Sequence, residues 1–144
     1  MILRNVPNIE DVNIMIKILG ELGKKIEKLD EHCYKFSGAV TSNSINSELG
    51  RKIRTSILFV GPMLARIGEI ELPPPGGDVI GRRRLDTHFL ALSKLGSSVD
   101  VTSTFKLTAN KLVGKDIFLD EASVTGTENA VMAAVMAEGQ TVLM

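Results

Sequence analysis

Apolar positions along the chain follow two periods, and each period appears twice. Residues 12–22 place Val12, Met15, Ile16, Leu19 and Leu22 at spacings of three and four, the stripe of an amphipathic helix. Leu85, Phe89, Leu92 and Leu95 repeat that stripe over 85–95. The segments 24–29, 33–38, 98–103 and 104–109 alternate or run β-branched, which predicts strands. A further apolar helix is expected over 54–67, with a kink where it contains Gly61-Pro62. Gly23, Gly68, Gly96 and Gly139 stand where left-handed caps would end the helices.

These elements are two copies of one unit. Residues 54–72 align with 125–143: in both, a turn leads into an apolar helix, then a glycine, then a short strand. Residues 11–28 align in the same way with 84–101. The repeat is about 72 residues long, and a period of that length is read as architecture before any motif is read. The expected fold is α/β: repeated βαββα-type units spanning 1–72 and 73–144 within a single domain. Their apolar stripes predict helices laid over one face of a sheet.

Composition narrows the function classes. Seventeen basic residues balance seventeen acidic ones. There is no global field to hold a polyanion, so nucleic acid is disfavoured as a partner and any anion site must be local. The single cysteine, Cys33, has no internal disulfide partner, and two histidines do not support a zinc cluster. No apolar run approaches the roughly 20 residues of a membrane span, and the first residues do not read as a signal peptide. A cytoplasmic location is expected, with no membrane partner, no metal and no cofactor.

The chemistry-bearing segment joins the two units: Leu72-Pro-Pro-Pro-Gly76-Gly77-Asp78-Val79-Ile80-Gly81-Arg82-Arg83-Arg84-Leu85-Asp86-Thr87-His88. Prolines end a strand, glycines free the backbone, and three arginines precede a helix. Helix N-termini present unpaired N–H groups, and guanidinium binds phosphate bidentately, so the pattern suits an anion. A solvated basic turn would look the same from the residues alone.

This string resembles the catalytic-loop motif of the UDP-N-acetylglucosamine enolpyruvyl transferases, whose usual form is Leu-Pro-Gly-Gly-Cys-x-Ile-Gly-x-Arg-Pro-Val-Asp-x-His. Arg54-Thr-Ser-Ile and Ser123-Val-Thr-Gly-Thr-Glu-Asn129 are similar to the flanking family segments, so the resemblance covers nearly the whole chain. It implies two of the three units of an inside-out αβ domain, and hence a fragment of the substrate-binding half. It also implies transfer of enolpyruvyl from phosphoenolpyruvate to the 3′-hydroxyl of UDP-N-acetylglucosamine, for peptidoglycan synthesis, with the isolated chain inactive.

By position, the resemblance implies that Arg83 is catalytic and touches phosphoenolpyruvate, and that Arg54 contacts the substrates from the neighbouring helix. Arg83, Arg84, Leu85, Asp86 and Thr87 would cradle the uridine diphosphate, with Asp86 facing the nucleotide. Glu121, Ala122, Ser123 and Val124 would form a second nucleotide-contacting stretch. Arg84 and Thr87 depart from a usual proline and an often apolar residue. Asp78 stands where most members carry a cysteine active in proton transfer; a carboxylate can donate a proton but is a poorer nucleophile than a thiolate.

Other residues have plainer expected roles. Thr125-x-x-Glu128 fits a capping box. His88 and Cys33 are expected to be structural, Cys33 as a small apolar filler. Besides the transferase fragment, two readings stay open: a non-catalytic nucleotide-sugar-binding module, and a repeat scaffold that pairs with itself as a homo-oligomer through the surface left by the missing unit.

Overall fold

The computed structural model describes residues 1–77 and 84–144. The chain opens with β1 (Ile2–Leu3), α1 (Glu10–Glu21) and a hairpin of β2 (Lys25–Asp30) and β3 (Cys33–Ser37). A short helix α2 (Ser47–Gly50) follows, then a 3-10 helix over Arg54–Phe59 that continues into α3 (Val60–Ile67). The second half has β4 (Glu69–Leu72), α4 (Asp86–Lys94), a hairpin of β5 (Ser98–Val101) and β6 (Phe105–Thr108), then β7 (Asp116–Ile117), α5 (Val124–Ala134) and β8 (Val142–Leu143). Among the described residues no helix is long and apolar enough to cross a membrane.

Two antiparallel sheets share one topology. The first is ordered β1-β3-β2 and the second β4-β6-β5, so in each trio the first strand pairs with the third. Strand 69–72, which the repeat puts at the end of 1–72, pairs with β6 and opens the second sheet. A parallel bridge recurs as well: Ser44 with Glu71 in the first half, Val113 with Glu138 in the second. Helices α1 and α4 hold the same place in the two orders, each running into a positive-φ glycine, Gly23 or Gly96, ahead of its hairpin.

The core lies between helices and sheets. Ile18 and Leu22 from the α1 end, Ile57, Val60 and Leu64 from 54–67, Leu92 and Leu95 from the α4 end, and Ala130 and Ala133 from α5 are all nearly inaccessible. Phe36, Ile70, Leu72 and Leu107 close the core from the sheets. Each such Leu or Ile contributes about 2 kcal/mol relative to exposure.

Three local expectations are corrected. The buried line of α1 runs through Ile14, Ile18 and Leu22, with Met15 and Leu19 packed beside it; Val12 and Ile16 are only half-buried. The apolar run Ile14-Met-Ile16 fits more than one stripe, and tertiary contacts choose the phase. Helix 54–67 changes type between Phe59 and Val60. Pro62 then falls in the first turn of α3, where its missing N–H has no intrahelical partner to lose. Gly139 is left-handed as expected, but it lies in the turn beyond α5, which ends at Ala134.

Candidate functional site

The three sequence stretches singled out for ligand contact begin three helices, and the fold brings those beginnings to one end of the domain. Arg54 starts the 3-10 helix, Asp86 starts α4, and Val124 starts α5. A guanidinium N–H of Arg54 donates to the carbonyl of Arg84 at 3.1 Å, joining the first two. The Thr87 hydroxyl donates to the Asp120 carboxylate at 2.6 Å, joining the second to the loop ahead of the third. Gly126 lies against Thr87 so closely that a Cβ there would approach the threonine methyl to 3.1 Å.

Arg54, Arg84, Asp86, Leu85, Pro74, Pro75 and Phe89 line an open groove of about 440 Å³ at this end. Its charged side is a pair of guanidiniums; its apolar side is built of proline rings, Leu85 and Phe89, the last packed edge-on to Phe105 at 5.2 Å between centroids. The loop entering from β4 is pinned here. A Cβ on Gly76 would fall 1.5 Å from the Arg51 carbonyl oxygen, so only glycine passes.

The groove carries mixed charge. Arg84 forms a hydrogen-bonded ion pair with Asp86, and that bond, then the charges of Asp86, Glu121 and Asp120, raise its pKa above the ordinary value. Side chains of Arg84 and Asp86 remain more than half exposed. The guanidinium is thus oriented but open to an incoming anion, and the pair itself adds little stability. Glu121, Ala122 and Val124 are exposed, and Leu85 is half-buried.

Two expected residues point elsewhere. Thr87 is 1% exposed and its hydroxyl is spent on Asp120, so its side chain serves packing, and threonine in place of an apolar residue is explained by that bond. Ser123 is the N-cap of α5: its hydroxyl oxygen accepts from the Gly126 N–H at 3.1 Å. Thr125, the expected cap, lies one residue inside the helix, and its hydroxyl meets His88 Nε2 at 3.3 Å. Asp78 and Arg83 lie outside the described residues.

Behind the groove is a polar cluster that the sequence did not announce. Asn129 is inaccessible to solvent. Its oxygen accepts from the Gly61 N–H at 2.7 Å, and its amide nitrogen donates to the Ile57 carbonyl at 3.0 Å and lies 3.2 Å from His88 Nδ1. Burial, then the positive charge of Arg54, push the His88 pKa down to about 4, so the ring is neutral at pH 7. The available signal was an asparagine that directly precedes the apolar run Ala130-Val-Met-Ala-Ala134 of the same helix.

A larger open groove of about 620 Å³ lies at the far end of α3, between Arg66, Glu69, Lys111 and Glu138. None of the expected ligand residues lines it, and its Lys111–Glu138 pair is an exposed contact at 2.5 Å. Among the described residues no cluster of three or more His, Cys, Asp or Glu is arranged to hold a metal.

Comparison with known proteins places this geometry. A family described as EPSP synthase (3-phosphoshikimate 1-carboxyvinyltransferase) matches residues 1–144. The UDP-N-acetylglucosamine 1-carboxyvinyltransferase of Treponema denticola is 56% identical over 144 residues, covering 99% of this chain and 34% of the relative. The protein of the same name from Treponema pallidum is 54% identical at the same coverage. Among solved structures, the enolpyruvyl transferase NikO from Streptomyces tendae superposes with a TM-score of 0.80 at 16% identity, over 99% of this chain and 34% of that one. EPSP synthase from Acinetobacter baumannii gives 0.77 at 18%, over 100% and 34%. The chain spans about a third of the length of the relatives it matches.

Proposed function

This chain belongs to the EPSP synthase (3-phosphoshikimate 1-carboxyvinyltransferase) family, and from that membership we propose that it forms part of the substrate-binding half of a UDP-N-acetylglucosamine enolpyruvyl transferase. In that reaction the enolpyruvyl group of phosphoenolpyruvate passes to the 3′-hydroxyl of UDP-N-acetylglucosamine and phosphate leaves. The product is a peptidoglycan precursor, which ties the enzyme to cell-wall growth, cell shape and division in the cytoplasm.

One observation carries the reading: Arg54 and the segment 84–86, separated in sequence, line one groove with two guanidiniums and an apolar wall, and the Thr87–Asp120 hydrogen bond ties the loop that leads into 121–124 to the same helix. A diphosphate suits the guanidiniums and a flat base suits the wall. In this reading Arg83 serves phosphoenolpyruvate, Arg54 contacts the substrates from the neighbouring helix, Asp86 faces the nucleotide, and Asp78 takes the place of the family's usual cysteine. The shared sheet topology of the two halves supports a twofold repeat, with strand 69–72 at the end of the first unit completing the sheet of the second.

We expect nucleotide binding without turnover from this chain alone, because a reaction needs both walls of a site to fix geometry and developing charge. Calorimetric titration with UDP-N-acetylglucosamine, beside a phosphate-release assay with both substrates, tests this. Binding with no phosphate supports it; steady phosphate release that requires both substrates refutes the inactive-fragment part, and no binding by the folded chain refutes the nucleotide part.

The chain is also expected to pair with a second copy. Val124, Val131, Val135 and Met136 on and just after α5, with Phe118 nearby in sequence, are large apolar side chains left exposed. Strand β8 pairs only with β7 among the described residues. An exposed apolar face and an open strand edge each favour association. Sedimentation across a concentration series reads the outcome, and a monomer at high concentration counts against it.

A further inference from the structure

Arg54, the segment 84–87 and the segment 121–124 lie at the beginnings of three separate helices, and their mutual spacing decides whether one ligand can touch all three. We propose that Asn129 is a positioning residue for the groove, fixing that spacing through a buried hydrogen-bond hub that His88 completes. The inference rests on the nucleotide-site reading.

Donor and acceptor counting shows how the hub is built. Asn129 accepts from the Gly61 N–H, one of the first N–H groups of α3 without an intrahelical partner, and so caps that helix from across the interface. Its NH2 group donates to the Ile57 carbonyl and has a second N–H aimed at His88 Nδ1. An amide NH2 is only a donor, so Nδ1 must accept, and the ring proton sits on Nε2 facing the Thr125 hydroxyl. The hub is therefore satisfied in a single arrangement of three helices. An apolar side chain of equal size would leave the Gly61 N–H and a ring nitrogen unpaired in the core, and the Ile57 carbonyl with the Val60 N–H in place of two donors.

Each hub partner is close in sequence to a residue proposed to touch ligand. Ile57 is one turn beyond Arg54, His88 follows Thr87, and Thr125 follows Val124. The Arg54 charge also acts directly on His88. A shift at Asn129 thus moves all three helix beginnings relative to one another, which a loss of packing elsewhere in the core does not do.

Asn129→Asp is nearly isosteric and tests this in the full chain. The carboxylate still accepts from Gly61 but no longer donates to Ile57, and it turns His88 toward the imidazolium form. Three quantities are measured: the dissociation constant for UDP-N-acetylglucosamine well below the melting point, amide exchange at 54–57, 86–88 and 124–126, and the His88 ring resonances. Affinity should fall tenfold or more while the melt stays cooperative, exchange should rise at all three segments together, and the ring should report protonation. A lowered melting temperature with unchanged affinity overturns the proposal, since the role is then only structural. Should Asn129→Asp fail to fold, His88→Gln decides, keeping the Asn129 bonds to Gly61 and Ile57. It should weaken binding about threefold at an unchanged melting temperature, and unchanged affinity overturns the proposal. If the native chain itself binds no UDP-N-acetylglucosamine, the nucleotide reading fails, and exchange judges the hub: a rise confined to α5 sinks it.

Discussion

The helix over 54–67 and α5 hold the same place in the repeat, yet their outward faces differ completely. The repeat pairs Val60 with Val131 and Leu64 with Val135. Val60 is 0% exposed and Val131 45%; Leu64 is 3% exposed and Val135 77%. Apolar character recurs at these positions while burial does not, because α3 has α5 of the second half packed against it and, among the described residues, no later helix covers α5. Strands β4 and β8 tell the same story: β4 gains β6 as an antiparallel partner, and β8 pairs with β7 alone among the described residues. What differs between the two copies is their neighbours.

If the inner contact between α3 and α5 makes this contrast, then damage there should cost most. A Cβ on Gly61 would lie 2.5 Å from the Asn129 backbone oxygen and 2.6 Å from its side-chain oxygen. Gly61→Ala must push the helices apart and break the Asn129 bond, at about 3 kcal/mol or more by urea unfolding. A loss below about 1 kcal/mol would mean that the helices do not meet at that residue.

The next effect tests whether the inner side of α5 is sealed from water. The His88 pKa is about 4 in the folded chain, below its ordinary 6.5. Between those values the unfolded chain holds a proton that the folded chain does not. Stability from the neutral ring is therefore complete above pH 6.5 and is lost as pH falls toward 4, by about 3 kcal/mol in all. Carboxylates titrate in the same window, so the measurement is the difference between the native chain and His88→Gln, which lacks the proton. Parallel stability–pH curves for the two would show that His88 is open to solvent.

Much of the inner side was legible in sequence, and the outer side was not. Helices 12–22 and 85–95, both hairpins and the positive φ of the four glycines follow from spacing and residue type. The phase of α1 did not, because Ile14, Met15 and Ile16 are all apolar and any of several stripes fits. Asp120 and Asn129 escaped notice because their roles come from residues 33 and 41–72 positions away. The candidate site residues were named through a family motif, and the approach of Arg54 to the segment 84–86 was visible only in three dimensions. Local pattern cannot report which neighbour a face will meet.

A smaller effect separates helix capping from ligand contact at the start of α5. Ser123→Ala removes the acceptor for the Gly126 N–H and should cost about 1 kcal/mol. Thr125→Val leaves that cap in place and removes only the hydroxyl facing His88. A larger loss of helix stability from Thr125→Val than from Ser123→Ala would return the cap to Thr125.

The smallest effect is the sharpest test of the comparison, because it puts one substitution at both positions of the repeat. Threonine is nearly isosteric with valine and adds one hydroxyl. At Val60, with no exposure, that hydroxyl has no water to bond, and an unsatisfied buried group costs about 1–3 kcal/mol. At Val131, nearly half exposed, it is solvated, and Val131→Thr should stay within about 0.5 kcal/mol. That near-neutrality holds for the monomer. If two copies cover the α5 face, the hydroxyl is desolvated in the dimer, and the cost of Val131→Thr should grow with protein concentration while that of Val60→Thr does not. Unfolding curves for both variants over a hundredfold dilution range separate the outcomes. A Val131→Thr cost that is small and flat with concentration leaves the face open to water and ends the pairing proposal; equal costs for the two variants at every concentration would mean that α5 is as buried as α3 and that the contrast between the repeats is wrong.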